Sequence, residues 1–252
     1  WTHNECREYL KEARDLGREE KERRLLEIYQ KFHPAFRFFF LEKYSDPAQW
    51  LSCRLAYTRS VAVASMVGYI LAIGDRHAQN VMIDVSTAEV VHIDFGIVFD
   101  QGKALPTPET VPFRLTRDVV DGMGITGIEG TFRKSCEEVM RTLRTNRSQI
   151  LTILEVVIHD PLYKWSLSPL EARNKQTRPS SRGAGIPTDV IDIDNVDADT
   201  LHSSHVNPSE SVQSVSRDAA ERTLMRIRNK LNGYEDATGE GLGVEGQVEQ
   251  LL

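Results

Sequence analysis

The chain has 252 residues, 40% apolar and 27% charged, with 31 basic against 37 acidic side chains and a formal net charge of −6. That length buries a sizeable core in one large domain or two small ones, and the acidic balance argues against a nucleic-acid grip built from the whole surface. The cysteines Cys6, Cys53 and Cys136 are odd in number, far apart and without a CxxC pair, which disfavours a disulfide scaffold or a zinc site and favours a reducing compartment.

The chain opens on Trp1-Thr2-His3-Asn4 and closes on Leu251-Leu252 within an apolar stretch, so it is expected to be a piece of a larger protein. Residues 4–32 are charge-dense with a helical period, interrupted at Gly17, and Leu25, Leu26, Ile28, Tyr29 and Phe32 form a docking stripe. The aromatic run FRFFFL at 36–41 is expected in the core. Asp46 before Pro47 reads as a helix cap followed by a first helical position. The helical pattern then continues to Gly74, which is placed to end it, with a break expected near Thr58-Arg59-Ser60. Residues 61–73 are apolar nearly all round, yet shorter than the roughly 20 residues a membrane span needs. They read as a buried core helix, and no membrane contact is expected.

Beyond Asn80 the period becomes strand-like. Residues 81–85 and 90–95 flank Ser86-Thr87-Ala88-Glu89 as a short hairpin, and residues 96–116, with three prolines, read as a long ordered loop. Helices are expected at about 130–145, 148–159 and 166–177. Residues 178–214 are rich in Pro, Ser and Gly and then in Asp, the composition of a disordered insertion. Ala220, Leu224, Ile227 and Leu231 recur at helical spacing over an expected helix at 215–234, which Gly233 closes. A glycine-rich linker and the start of a further segment occupy 235–252. The fold class is α+β, mostly helical, with one short β-hairpin.

The chemistry lies in Gly74–Gly96: GDRHAQN, the hairpin, then HIDFG. Phosphoryl transfer needs a carboxylate to orient a hydroxyl and accept its proton, and oxygen ligands for metal ions that bridge the ATP phosphates. Asp75 and Asn80 stand five residues apart, as in a protein-kinase catalytic loop, and Asp94-Phe95-Gly96 follows across the hairpin. A hairpin brings its ends together, so Asn80 and Asp94 can face one metal–phosphate cluster with Asp75 beside it. Asp75 alone would pass for a carboxylate capping a turn. The constellation is far more specific, arising by chance in about one such chain per thousand.

The histidine follows the aspartate, Asp75-Arg76-His77, instead of preceding it. That order, with the Gly-Asp-Arg-His-x-x-Asn loop, resembles the phosphatidylinositol 3-kinase-related protein kinase family. RLAYTRSVAVASMVGYIL before the loop and LPTPETVPFRLTRDVVDGMGITGIEGTFR after it are similar to that family's ataxia-telangiectasia-mutated (ATM) branch and its fungal members. VEGQVEQLL resembles the run-up to the family's FATC tail. The resemblance covers roughly 1–177 and 216–252 and leaves the insertion unaligned. It implies a kinase C-terminal lobe at 1–177, with a catalytic loop at about 72–80 and an activation loop at about 92–116. By the same resemblance Asp75 is the catalytic base and His77 a second catalytic group, with loop bracing as the alternative. Asn80 and Asp94 are implied to bind metal and nucleotide. Phe95, Gly96, Pro108, Glu109, Thr110, Val111, Pro112, Phe113 and Arg114 are implied to form the activation loop and substrate platform. Where ATM-type kinases often carry Asp-Leu-Gly this chain has Phe95, which packs equally well, while Arg76 and His92 fit as loop braces.

The same resemblance implies Mg2+ or Mn2+ as cofactor, ATP as substrate, and protein targets carrying Ser or Thr followed by Gln. It further implies a nuclear role at DNA breaks and chromosome ends, DNA reached through a break-sensor complex outside this chain, and room for a homodimeric parent. No direct nucleic-acid site is expected here. No glycine-rich phosphate loop and no strand lysine with a partner glutamate precede Asp75, so these residues alone are expected to be inactive. Two rivals stand beside this reading. A phosphoinositide lipid kinase shares the Asp-Arg-His loop but needs clustered cations to hold its headgroup, and residues 96–116 carry only Lys103 and Arg114, against Asp100 and Glu109. A pseudokinase scaffold would be expected to lose Asp75, Asn80 or Asp94, and all three are present.

Overall fold

The computed structural model describes residues 1–13, 16–105, 108–159, 208–234 and 239–252, with the side chains of 208–218 outside that description. The helix expected at 166–177 and residues 178–207 of the expected insertion lie outside the described residues. Nine α-helices are described: α1 (His3–Glu12), α2 (Arg18–Lys31), α3 (Arg37–Lys43), α4 (Pro47–Leu71), α5 (Arg117–Gly122), α6 (Thr131–Thr145), α7 (Arg147–Ile158), α8 (Pro208–Asn232) and α9 (Val244–Leu251). Between α4 and α5 lies one antiparallel hairpin, β1 (Val81–Ile83) and β2 (Val90–His92), paired Val81 to His92, Met82 to Val91 and Ile83 to Val90. None of the described helices is long and apolar enough to cross a membrane.

Helix α4 is the axis of the fold. Asp46 caps it by accepting from Gln49 N at 2.8 Å, with Pro47 at its first position. Its apolar residues reach almost all round, the pattern of a helix enclosed by others. Tyr57, Val61, Ala62, Met66, Tyr69 and Ile70 are buried against Phe132, Cys136 and Met140 of α6, Ala220, Ile227 and Leu231 of α8, and Val248 of α9. Each large side chain so enclosed is worth about 1.5–3 kcal/mol of transfer free energy.

The break expected at Thr58–Ser60 does not occur. Thr58 Oγ1 donates to Arg54 O and Ser60 Oγ to Tyr57 O, both at 2.8 Å, so these hydroxyls satisfy themselves inside the helix. Ser60 Oγ also accepts from Val90 N at 2.9 Å and so fastens β2 to α4. Nor does Gly74 end the helix. Ala72 takes the left-handed position (φ 47°), and its N–H donates back to Gly68 O and Tyr69 O.

The aromatic run at 36–41 divides between two faces of α3. Phe40 is buried and Phe36 and Phe39 pack against the core, the three rings 5.3–5.6 Å from one another and Phe36 and Phe40 5.5 and 5.2 Å from Tyr57, while Phe38 and Leu41 are exposed because a short helix buries one side only. The α2 stripe is likewise only partly docked: Ile28 is buried and Leu25 half-buried, while Leu26, Tyr29 and Phe32 are exposed.

Helix α5, not anticipated from the sequence, is a single capped stretch in which Thr116 accepts from Val119 N. Its acids hold α3 in place: Asp118 Oδ1 accepts from Ala35 N at 3.0 Å and Asp121 Oδ2 from Arg37 N at 2.9 Å. Helix α8 starts at Pro208, inside the stretch expected to be disordered. Proline suits a first helical turn, where its missing N–H costs nothing. From Ala220 onward its buried face is the one expected, and Gly233 (φ +87°) closes it. Helix α9 is pinned by fully buried Gln247, which donates to Tyr69 Oη at 3.2 Å and Lys230 O at 2.9 Å and accepts from Arg144 Nη2 at 2.5 Å.

Candidate active site

The segment leaving α4 and the segment leaving the hairpin run side by side. Gly74 N donates to Ile97 O at 2.9 Å, and Phe99 N to Leu71 O at 3.0 Å. Asn80 closes a short 3-10 turn (Ala78–Asn80) and is buried; its carbonyl accepts from Ile93 N at 3.0 Å, opposite the last residues before Asp94. Its side-chain Nδ2 donates to the Asp75 carbonyl at 2.9 Å, leaving Oδ1 as its oxygen toward any ligand.

Asp75 and Asp94 both have φ of +57°, in the left-handed region that aspartate tolerates better than most residues. Backbone outliers of this kind cluster where function fixes geometry. Arg76 joins the two. Its guanidinium is buried and donates to Gly74 O and Ile93 O, each at 2.8 Å, and to Asp94 O, with Cζ 5.5 Å from the Phe95 ring centroid. Burial pushes the Arg76 pKa below its ordinary value, and Asp75, Asp94 and Glu109 pull it back up. Burial, with Arg76 as the second cause, lowers the pKa of His92. The expected bracing role of Arg76 has this hydrogen-bond set as its physical form.

His77 is exposed, with Nε2 3.9 Å from Asp75 Oδ2, beyond a hydrogen bond. Its Nδ1 accepts from Gln79 N at 3.2 Å, which leaves the proton of the neutral imidazole on Nε2, toward Asp75. Gly96 N donates to Asp94 Oδ1 at 3.1 Å.

One cleft of about 660 Å3 brings Asp75, Arg76 and His77 against residues 108–116, with Leu251 and Leu252 at its edge. Pro108, Glu109, Thr110, Val111, Pro112, Phe113 and Arg114 all line it, as a substrate platform would. Asn80 and Asp94 are not among its lining residues; they sit at the base of the hairpin and reach it through Asp75 and Arg76. Two features were not anticipated from the sequence: the C-terminal leucines at the cleft, and the Glu109 carboxylate, which accepts from Asp75 N at 2.7 Å. Neither carries a local signal, since both depend on chain segments far apart in sequence meeting.

Among the described residues no cluster of three or more His, Cys, Asp or Glu surrounds a metal position. One amide oxygen and one carboxylate nevertheless suit Mg2+, which takes few protein ligands and completes its shell with phosphate oxygens and water.

Residues 3–167 match the family of phosphatidylinositol 3- and 4-kinases. The chain belongs to that family. Across its whole length it is 48% identical over 252 residues to the serine/threonine-protein kinase ATM of Arabidopsis thaliana, and 42% identical over 253 residues to the serine/threonine-protein kinase tel1 of Schizosaccharomyces pombe. It spans 6% and 8% of the length of those relatives. A solved Tel1 kinase, a butterfly symmetric dimer, superposes with a TM-score of 0.74 at 36% identity, covering 100% of this chain and 9% of that one. Within the phosphatidylinositol 3- and 4-kinase family, the resemblance to the ATM/Tel1 branch therefore holds, and the helical architecture with its two-stranded sheet is that of a kinase C-terminal lobe.

Proposed function

We propose that the chain is the catalytic lobe of a serine/threonine protein kinase of the ATM/Tel1 type. The observation that carries this reading is the joining of Asp75, Asn80 and Asp94 through Arg76 and the Asn80 amide into one loop-and-hairpin unit beside the cleft. A substrate hydroxyl held against residues 108–114 presents its proton to Asp75. As its oxygen bonds to the γ-phosphorus of ATP, the bond to the β-bridging oxygen breaks, ADP leaves and the proton goes to the carboxylate. His77 Nε2–H stands beside Asp75 and can donate to a phosphoryl oxygen. Mg2+ held by Asn80 Oδ1 and the Asp94 carboxylate neutralises phosphate charge when bound.

Protein is favoured over phosphoinositide as acceptor. Lys103 is already paired with Asp100 at 3.0 Å, which leaves Arg114 as the cation of residues 96–116 for a multiply charged headgroup. The acceptor is Ser or Thr followed by Gln. The names of the relatives and the dimer seen in the solved Tel1 structure extend the proposal to a nuclear enzyme of DNA-break and telomere signalling, working in a larger and dimeric assembly. Residues 1–252 alone, without a phosphate loop, are expected to show no turnover.

The test is radiolabel transfer from ATP by the complete gene product to a Ser-Gln peptide, a Ser-Ala peptide and phosphatidylinositol vesicles. Transfer to the Ser-Gln peptide, lost in Asp75→Asn and Asp94→Asn, is expected. Transfer to lipid alone, or none by the wild type, overturns the reading.

A further inference from the structure

The Asp75 peptide is clamped on both sides. Its carbonyl accepts from Asn80 Nδ2, and its N–H donates to Glu109 Oε1 at 2.7 Å, a carboxylate contributed 34 residues later by the opposite wall of the cleft. The carboxylate is seated with little freedom. Glu109 N donates to Gly102 O at 3.1 Å, and Oε2 lies against two glycines. A β-carbon at Gly74 would stand 2.5 Å from Oε2, and one at Gly102 closer still. Gly74 and Gly102 have φ outside the left-handed region, so no backbone conformation calls for glycine at either place. The space for the carboxylate does.

We propose that Glu109 is a positioning residue: its carboxylate holds the Asp75 amide, and with it the left-handed backbone that aims the Asp75 side chain, so that the catalytic group is oriented only when the 108–116 wall is in place. This deepens, and rests on, the protein-kinase reading. The physical argument is that Asp75 has few other means of keeping φ at +57°. An aspartate released from its N–H acceptor relaxes toward the commoner right-handed or extended regions, and its carboxylate swings with the backbone. A charge-assisted bond from a carboxylate to a backbone N–H is among the stronger neutral-donor bonds available for the task. Glu109 therefore acts through Asp75, without touching the reacting atoms.

A role in charge and a role in reach predict opposite orders for two conservative variants. Glu109→Gln keeps a carbonyl oxygen at the same reach and loses the charge; Glu109→Asp keeps the charge and falls one methylene short. In the complete gene product, Glu109→Asp and Glu109→Ala are expected to lower kcat by about 100-fold, the order of cost for misplacing a group by an ångström, with the KM for ATP little changed. Glu109→Gln is expected to stay within about tenfold of the wild type. Hydrogen exchange over residues 72–78 is measured in the same variants as a readout independent of activity, and is expected to quicken in Glu109→Asp and Glu109→Ala alone. A kcat for Glu109→Asp equal to or above that of Glu109→Gln, in an active wild type, overturns the positioning role and leaves the kinase reading standing. Unchanged exchange in Glu109→Ala overturns it as well. An inactive wild type overturns the kinase reading, while the exchange data still decide whether Glu109 holds the Asp75 amide.

Discussion

Asn80 and Asp75 are tied side chain to backbone, Nδ2 to carbonyl oxygen at 2.9 Å, so one amide steadies the proposed base while its oxygen is left for the proposed metal. The two duties separate by substitution. Asn80→Asp keeps an oxygen ligand but has no N–H for the Asp75 carbonyl, whereas Asn80→Ala loses both. A magnesium titration of turnover should show a large rise in the metal requirement for Asn80→Ala. Asn80→Asp should show a lower kcat with a metal requirement nearer the wild type. The lost hydrogen bond also costs about 1 kcal/mol of stability in either variant, readable by urea denaturation.

Arg76 is expected to be the most sensitive structural position of the loop. It serves three carbonyls from a buried place, and hydrogen bonds to a charged group are worth about 1.5–3 kcal/mol each, not additively. Arg76→Lys keeps the charge yet cannot span three acceptors with one ammonium. Both Arg76→Lys and Arg76→Ala should therefore unfold at distinctly lower urea concentration. A lysine variant as stable as the wild type would show that charge, not the fork of donors, matters here.

Cys136 gives a pH prediction. Burial, with Glu137 adding to it, pushes the thiol up to about 12 from an ordinary value of 9.0. The folded state holds its proton longer than the unfolded chain, so this contribution is fully present below pH 9 and is lost as pH rises toward about 12. The slope approaches about 1.4 kcal/mol per pH unit within that window. Denaturation of Cys136→Ala across the alkaline range should be flatter than wild type by that amount. Tyr57, also raised by burial, bends both curves alike and cancels in the difference. Iodoacetamide at pH 8 should label partly exposed Cys6 well before Cys136.

Gly233→Ala should destabilise the molecule. The position has φ of +87°, and an added β-carbon would run into Leu242 O and come within 2.5 Å of Arg144 Nη2. The left-handed backbone alone costs about 1–2 kcal/mol for a non-glycine residue. A lowered thermal midpoint in circular dichroism is the expected result.

These positions show what a sequence can and cannot disclose. The spacing of Ala220, Ile227 and Leu231 marked the buried face of α8, and Asp46-Pro47 marked the start of α4, because each signal lies within one short stretch of chain. The hairpin that brings Asn80 against Ile93, next to Asp94, was legible for the same reason. The supposed break in α4 was a misreading of Thr58 and Ser60, whose hydroxyls bond back within the helix instead of competing with it. Helix α5 escaped notice because its six residues are too few for a period to show. The Glu109–Asp75 bond could not be read at all, since nothing local distinguishes a carboxylate that faces water from one that meets a backbone amide 34 residues away.

The Gln247 contacts carry a consequence for assembly of the molecule. An apolar seam can slip by a helical turn and still find grease on the other side. A buried amide that must meet Tyr69, Lys230 and Arg144 together cannot. Helix α9 therefore behaves like the last tumbler of a lock. Its three partners stand together only when α4, α6 and α8 are in their final arrangement, and its seat puts Leu251 and Leu252 at the edge of the cleft. A protease that cuts α9 only when it is undocked would thus report, in a single cleavage rate, whether three other helices have come together.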